Sequence, residues 1–386
     1  MDRRRFAALG AAAGAAALAG CGPGPGHGKR DTGEAGAPGI VTQPRIRWRL
    51  ASSFPRATEI LYGGAETFAA RVEALTDGRF VIEPNEAGAL VPPFGVLDAV
   101  QSGSVEVGHT AGYYYLGKNP ALAFDTALPF GMQARQHDAW MLHGGGRELA
   151  QGRLADFGVV SFLGGNTGTQ MGGWFREPVG SLGELRGLKM RIPGLGAGVM
   201  ERLGVIAQST PGGEIYGALE RGAIDATEWV GPYDDARMGF QNVVQTYHYP
   251  GWWEPSASLS FYVNERSYSA LPQAYQAAIQ SAAAEANAAM LQRYDAANPP
   301  ALAELAQAGV RTVPFPTDVM RAASTAAREL VDEAAAGADA DYRETLASYR
   351  AFQTASDRWL GTAELGMARF GAARVTSEGA RAARSA

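Results

Sequence analysis

The sequence contains a single cysteine, Cys21, in 386 residues. That excludes an intrachain disulfide and any metal centre built from several cysteines. Its five histidines, His27, His109, His137, His143 and His248, show no zinc-ligand spacing. No G-x-S-x-G elbow, Walker loop or C-x-x-C pair occurs, so the common signatures of nucleophilic and nucleotide chemistry are missing. Beyond the N-terminus no apolar run is long enough to cross a bilayer. Positive charge is also in short supply. A formal net charge of −5 argues against nucleic acid or an anionic membrane surface as a partner. What the chain does have is bulk: at 46% hydrophobic and 19% charged residues it can bury a substantial core, and its length suits two lobes.

The N-terminus reads as an address rather than as part of the fold. Asp2-Arg-Arg-Arg-Phe6 is a charged segment, and Ala7 to Gly20 is an apolar run of small residues. Arg3-Arg4 followed by Phe6 matches a twin-arginine export signal. Leu18-Ala-Gly-Cys21 looks like a lipobox, which makes Cys21 the candidate for lipidation. Residues 1–20 are therefore expected to be a signal peptide, and residues 21–44, rich in Gly, Pro and Thr, a flexible tether. The expected location is the periplasm, with membrane attachment only through that lipid.

From residue 46 onward, strands and helices alternate. IRWRLAS (46–52) alternates like a half-buried strand. Ile60, Leu61, Ala65, Phe68, Ala69, Val72 and Leu75 recur at helical spacing and lead to a C-cap at Asp77-Gly78. A strand at 80–82, a helix at 96–101 and a strand at 105–109 follow. This alternation predicts an α/β fold with a largely parallel sheet. Residues 97–108 are echoed by residues 216–227, each a short helix, a Gly stop and a short strand. Two lobes of βαβ units around a ligand cleft account for that echo. The expected organisation is lobe I at 45–168, lobe II at 169–255, and an inter-lobe strand with a long helix at 256–300. The helix should stop at Pro299-Pro300. A C-terminal helical region at 301–374 contains a candidate dimerisation helix, and 375–386 reads as a disordered tail.

The candidate chemistry is polar groups among aromatics. Arg191 ends the strand in GLKMRIPG (187–194), at the edge where a cleft would place a ligand. Gly194-Leu-Gly-Ala-Gly-Val199 invites a dinucleotide reading, but Val199 stands where the third glycine of G-x-G-x-x-G belongs. An oxidoreductase is therefore the remote alternative. The Gly-rich segment 165–173 carries Asn166 and Gln170, and residues 226–235 place Glu228 and Trp229 just past a strand. Gly251-Trp-Trp-Glu-Pro255 adds Glu254, and Gly112-Tyr-Tyr-Tyr115 adds Tyr114 and Tyr115. Each has an ordinary structural use: glycine for turns, tryptophan for core, carboxylates for solvent. Together they are the parts of a pocket for a small acid, with an aromatic wall, an Arg fork and oxygen donors. Gln170, Glu228 and Glu254 offer oxygens that suit a hard cation, Na⁺ or Ca²⁺.

Six segments carry a resemblance over about Trp48 to Phe370: VPPFGVLDAVQSG (91–103), YYYLGKNPA (113–121), GNTGTQMGGWF (165–175), GLKMRI (187–192), IDATEWVGPYDD (224–235) and YPGWWE (249–254). In that order they resemble the periplasmic solute-binding proteins of tripartite ATP-independent periplasmic (TRAP) transporters, in particular the 2-oxo-acid subgroup. The resemblance implies two α/β lobes closing over a solute, no catalysis, and Arg191 pairing with the solute carboxylate. It also implies a cation held by the Gln170 amide oxygen, Glu228, the Trp229 carbonyl and Glu254. Asn166 and one of Tyr114 or Tyr115 would complete the pocket. The solute would be a small 2-oxo or 2-hydroxy monocarboxylate; a dicarboxylate, an aromatic acid or a branched-chain 2-oxo acid is the alternative within the same fold. The implied partners are the small and large membrane permease subunits, with a homodimer through the C-terminal helices. Two features depart from the pattern: Cys21, since such proteins are commonly unanchored, and Ala207, where relatives tend to carry proline.

Overall fold

The computed structural model describes residues 43–371; the signal segment, Cys21, nearly all of the tether and the 375–386 tail lie outside the described residues. In chain order the strands are β1 (Ile46–Ser52), β2 (Phe80–Asn85), β3 (Val107–Thr110), β4 (Val159–Asn166), β5 (Trp174–Phe175), β6 (Lys189–Arg191), β7 (Ile206–Gln208), β8 (Ala226–Thr227), β9 (Thr246–Tyr249), β10 (Ser258–Asn264) and β11 (Arg311–Pro314). They form two sheets, ordered β2-β1-β3-β10-β4 and β11-β9-β5-β8-β6-β7. Among the described residues no helix is long and apolar enough to cross a membrane.

The sheets are mixed rather than largely parallel. β10 returns from the second sheet and inserts antiparallel between β3 and β4. β5 likewise runs antiparallel to β8 and β9. Both strands follow a strand of the other sheet through a short passage, without the helical crossover that joins parallel neighbours, and both pair antiparallel. Helix–strand alternation along the chain does not reveal such a return.

Each sheet has its own core. Phe68, Phe80, Phe261 and Ile279 are fully buried in the first, with the Phe68 and Phe261 rings stacked 4.1 Å apart. Phe175, Met190, Ile192 and Val199 serve the second. Each such side chain contributes about 1.5–3 kcal/mol. A third cluster belongs to both and joins Phe54, Leu61 and Tyr113 to Trp174, Trp229 and Tyr247.

The helix Gln273–Gln307 runs 35 residues straight through Pro299 and Pro300, where the sequence predicts a break. Its first half packs on the first sheet through Tyr275, Ile279 and Ala286. Beyond, Met290, Tyr294 and Leu305 join the shared cluster. Packing on both sides of the prolines outweighs the two lost backbone hydrogen bonds. The first predicted helix is Glu59–Leu75, and its C-cap is Thr76 rather than Asp77-Gly78.

The helix Ala340–Thr362 is tied back to the first lobe by a buried arginine. Arg153 donates to Asp125 at 2.8 Å, to Asp341 at 2.8 Å and to Thr345 at 2.9 Å. Burial pushes the Asp125 carboxyl up to about 6, with Arg153 pulling the other way. Removing only the cation should therefore leave an uncompensated buried charge. Arg153→Ala is expected to cost about 3–5 kcal/mol in urea unfolding at pH 7.5, and adding Asp125→Asn should recover part of it.

Candidate ligand and cation site

Arg191 is the last residue of β6, which lies between β7 and β8 with all three strands parallel. The parallel register leaves its side chain at the carboxyl ends of the strands, where α/β sheets gather ligands. The guanidinium is only 1% exposed. Its Nε–H donates to the Thr210 carbonyl at 3.0 Å, and one Nη1 bond reaches the Glu228 carbonyl at 3.2 Å. Nη1 also pairs with the Glu228 carboxylate. Nη2 is buried and has no partner. The cation lies 5.2 Å from the centre of the Trp229 ring, within cation–π range.

Glu228 follows β8, and Glu254 comes from the GWWE segment; they are 1% and 3% exposed. The Gln170 Nε2 donates to Glu254 at 2.6 Å and to the Thr167 hydroxyl at 3.2 Å, leaving Gln170 Oε1 buried without a partner. The Gly251 N–H donates to the Gln170 carbonyl at 2.9 Å and lashes the two segments together. Burial pushes the Glu254 carboxyl up to about 7, opposed by Arg191, Gln170 and Tyr113. Glu228 is raised well above its ordinary value by burial, against the pull of Arg191 and with Glu254 and Asp235 adding to the rise. One guanidinium thus faces two carboxylates, a cluster with net charge −1 when both are ionised.

Asp235 holds the Glu228–Trp229 segment in place. Its carboxylate accepts from the Val230 and Gly231 N–H groups at 3.0 and 2.9 Å, from Trp174 Nε1 at 2.9 Å and from the Tyr247 hydroxyl at 2.7 Å. Two bonds turn the chain after Trp229, and two anchor the turn to β5 and β9.

Arg191, Gln170, Glu228, Trp229 and Tyr114 line one cavity of about 10 Å³ together with Tyr113, Thr167, Phe54, Leu61, Val230, Ala257 and Leu259. Glu254 meets it through Gln170. Two expectations need correction. Residues 112–115 form a 3-10 turn, not a strand, so three successive tyrosines point in three directions about 120° apart. Tyr113 and Tyr114 face the cavity, whereas the Tyr115 hydroxyl is engaged by Thr110 at 2.8 Å and the Leu97 N–H at 3.3 Å. Asn166 lies outside the lining, its Oδ1 accepting the Gly168 N–H at 2.9 Å.

Tyr113 and Thr167 were missed, although both lie inside the segments singled out. Phe54, Leu61 and Leu259 carry no mark in sequence that separates them from core. The GLGAGV turn opens a helix, Gly194–Arg202, whose glycines admit side chains rather than a pyrophosphate. Gly194 has φ +64° and lies against the Tyr113 ring, where a Cβ would come within 3.2 Å. At Gly196 a Cβ would stand 2.9 Å from Trp253.

The donor set suits a hard cation that shares its shell with a ligand. It consists of two buried carboxylates and an amide oxygen with nothing else to accept, all of them oxygen. Among the described residues no three His, Cys, Asp or Glu side chains are grouped into a cage, so the remaining places would fall to ligand oxygens.

A raised carboxyl binds its proton in the folded chain at a pH where the unfolded chain has lost it. Stability contributed by that proton is present at low pH and is lost as pH rises through about 7. In chelated, ligand-free protein, Glu254→Gln should therefore exceed wild type by about 2 kcal/mol at pH 8 and by little at pH 5. Thermal melts across that range give the difference, and an advantage independent of pH would contradict it.

Residues 51–337 match the family model described as DctP, bacterial extracellular solute-binding protein, family 7. A monocarboxylate 2-oxoacid-binding periplasmic protein of a Nostoc species is 48% identical over 327 residues, covering 85% of this chain and 89% of that one. A TRAP transporter solute-binding protein of Bordetella bronchiseptica, solved as a mixed-occupancy dimer with calcium and picolinate in its active site, is 42% identical with a TM-score of 0.85. It covers 87% of this chain and 100% of its own. Another from Pseudoalteromonas atlantica, with bound sodium and pyruvate, is 38% identical with a TM-score of 0.81, covering 84% and 99%. These are binding proteins rather than enzymes, which removes the oxidoreductase alternative. The chain belongs to the DctP family of bacterial extracellular solute-binding proteins, family 7.

Proposed function

We propose that this protein captures a small 2-oxo or 2-hydroxy monocarboxylate, pyruvate- or lactate-like, together with Na⁺ or Ca²⁺, and delivers it to the small and large subunits of a TRAP permease. The observation that carries this reading is a pair of buried, unpartnered atoms of opposite sense on residues lining one cavity. Arg191 Nη2 is a free donor and Gln170 Oε1 a free acceptor. A guanidinium offers two parallel N–H donors to a planar carboxylate and stays charged at any working pH. The free amide oxygen asks for a cation.

Charge count points the same way. With both carboxylates ionised, a monocarboxylate added to the Arg191–Glu228–Glu254 cluster takes it from −1 to −2, a severe load for a site without solvent. Ca²⁺ brings the sum to zero and Na⁺ to −1. Gln170, Glu228, the Trp229 carbonyl and Glu254 would hold the ion, whose contribution is to neutralise and polarise the acid. A 2-oxo or 2-hydroxy oxygen next to the carboxylate would fill the ion's shell, and an acid without it would leave a place empty. Phe54, Leu61, Val230, Ala257 and Leu259 give the wall an apolar part that suits a short alkyl group. Among the described residues Arg191 is the sole cation in the lining, which disfavours a dicarboxylate. The named solutes of the Nostoc and Pseudoalteromonas proteins support the same class.

Homodimer formation through the C-terminal helices belongs to the proposal. It is supported by Trp359, Met367 and Phe370, which stand 63%, 71% and 69% exposed near the end of the described chain. Export to the periplasm agrees with the family's extracellular character. The twin-arginine type of signal and the lipid on Cys21 rest on the sequence motifs alone.

Calorimetric titration of refolded protein with pyruvate tests the reading. Binding should require Ca²⁺ or Na⁺, and propionate, which lacks the second oxygen, should bind at least about 100-fold more weakly. Undiminished pyruvate binding after chelation in sodium-free buffer would overturn the cation's role. Arg191→Ala should weaken binding by about 30- to 1,000-fold while the circular dichroism spectrum stays unchanged; wild-type affinity would remove Arg191 from the site.

A further inference from the structure

The helix Glu59–Leu75, which packs on the first sheet, is not capped by its own N-cap side chain. Thr58 makes no capping bond, its hydroxyl donating instead to the Pro55 carbonyl at 2.7 Å. Two of the free N–H groups of that first turn are met from the other lobe. Asp234, in the helix Pro232–Met238, accepts from the Ile60 N–H at 3.4 Å and the Leu61 N–H at 3.2 Å. A third donor is the Tyr294 hydroxyl at 2.6 Å, from the long helix that spans both sheets. Asp234 is wholly buried. Around it, Tyr233 and Arg237 reach Glu59, by a hydrogen bond at 2.9 Å and an ion pair at 3.3 Å.

We propose that Asp234 is a positioning residue for ligand capture: it caps the Glu59–Leu75 helix in trans and so holds the lobes shut over the site. The helix Pro232–Met238 is fixed to the second sheet by the neighbouring Asp235, so its approach to the first lobe is a lobe movement. Opening would return two backbone donors and a carboxylate to water; closure replaces water with a carboxylate at the positive end of a helix. Asp234 touches no ligand group. It acts five residues beyond Trp229 on the same turn, so the segment that carries Glu228 and Trp229 also carries the latch. The proposal rests on the capture reading above for its ligand, and on Asp234's own contacts for its mechanism.

The test compares wild type with Asp234→Asn, Asp234→Ala and Tyr294→Phe, using pyruvate and CaCl₂ with stopped-flow tryptophan fluorescence. Dissociation should quicken about fivefold in Asp234→Asn, tenfold in Asp234→Ala and two- to threefold in Tyr294→Phe, with association within twofold of wild type. Ligand-free melting temperatures should stay close to wild type, because without ligand the lobes close only part of the time and Asp234 is solvated whenever they open. A purely structural role gives the opposite pattern, a lower ligand-free melting temperature with unchanged dissociation, and overturns the proposal. If Asp234→Ala fails to fold, the other two variants decide. If wild type binds no pyruvate, the capture reading fails by itself. The latch is then judged by hydrogen exchange of the Ile60 and Leu61 amides in ligand-free protein. Faster exchange in Asp234→Asn supports it, and identical exchange overturns it.

Discussion

A guanidinium sealed from water at the ends of three parallel strands is the constraint that the rest of the site answers. Burying such a charge without partners costs several kcal/mol, so Arg191 exists there only because other groups have been brought to it. The Thr210 carbonyl, the Glu228 carbonyl and the Glu228 carboxylate meet three of its donor directions. Trp229 covers its face. Glu228 in turn is buried, and Glu254 lies near enough to raise it further. The arrangement is over-supplied with negative charge and still short of one acceptor for Nη2. On the proposed reading, an anion and a cation arriving together would complete groups set in that imbalance.

The backbone crossings explain where the oxygens proposed for a cation come from. The chain passes between the sheets along residues 167–173, from β4 to β5, and along 250–257, from β9 to β10. These two passages are zipped together: the Thr167 N–H donates to the Ala257 carbonyl at 3.0 Å, and the Ala257 N–H returns to the Thr167 hydroxyl at 3.0 Å. Gln170 lies on one passage and Glu254 on the other. Arg191, by contrast, belongs wholly to the second sheet, and Phe54 and Leu61 to the first. A ligand lying between them touches each sheet and the connection between the sheets. Movement about that connection would change Arg191's distance from the first-lobe wall while leaving Gln170 and Glu254 paired. Half of the site would thus be formed before closure, and the other half by it.

Short motifs, and the family resemblance they carry, supplied candidates for this site but not their directions. Arg191, Gln170, Glu228, Trp229 and Glu254 stood out because each is a polar or aromatic group in a glycine-marked loop at a strand end. That pattern follows from local chain geometry and can be read in one dimension. The choice among Tyr113, Tyr114 and Tyr115 cannot: it depends on whether residues 112–115 extend or coil, and the 3-10 turn is set by Thr126, whose hydroxyl accepts the Gly112 N–H at 2.7 Å. The uninterrupted helix through Pro299-Pro300 has the same origin. Local preference says stop, while the cores on either side hold both halves in line. The return of β10 into the first sheet is a long-range pairing with no local signature. Phe54 and Leu61 are cavity residues only because lobe II faces them.

Asp234 and Asp235 show how little chain is needed to join recognition to closure. The two carboxylates are neighbours, both buried, and both have their proton affinity raised by that burial. Adjacent residues at the start of a helix point about 100° apart, so the pair serves two bodies at once. Asp235 looks back to β5 and β9 and to the amides that follow Trp229; Asp234 looks out to the first turn of a helix in the other lobe. Lengthening or loosening this turn would shift the Trp229 carbonyl and the trans cap in the same step. The short interval from Glu228 to Asp234 therefore carries a mechanical coupling, because the hydrogen bonds at its two ends hold its shape. In a protein whose task is to hold a solute and then release it, the geometry proposed to grip the ligand and the geometry proposed to shut the lobes would thus be set by one stretch of backbone.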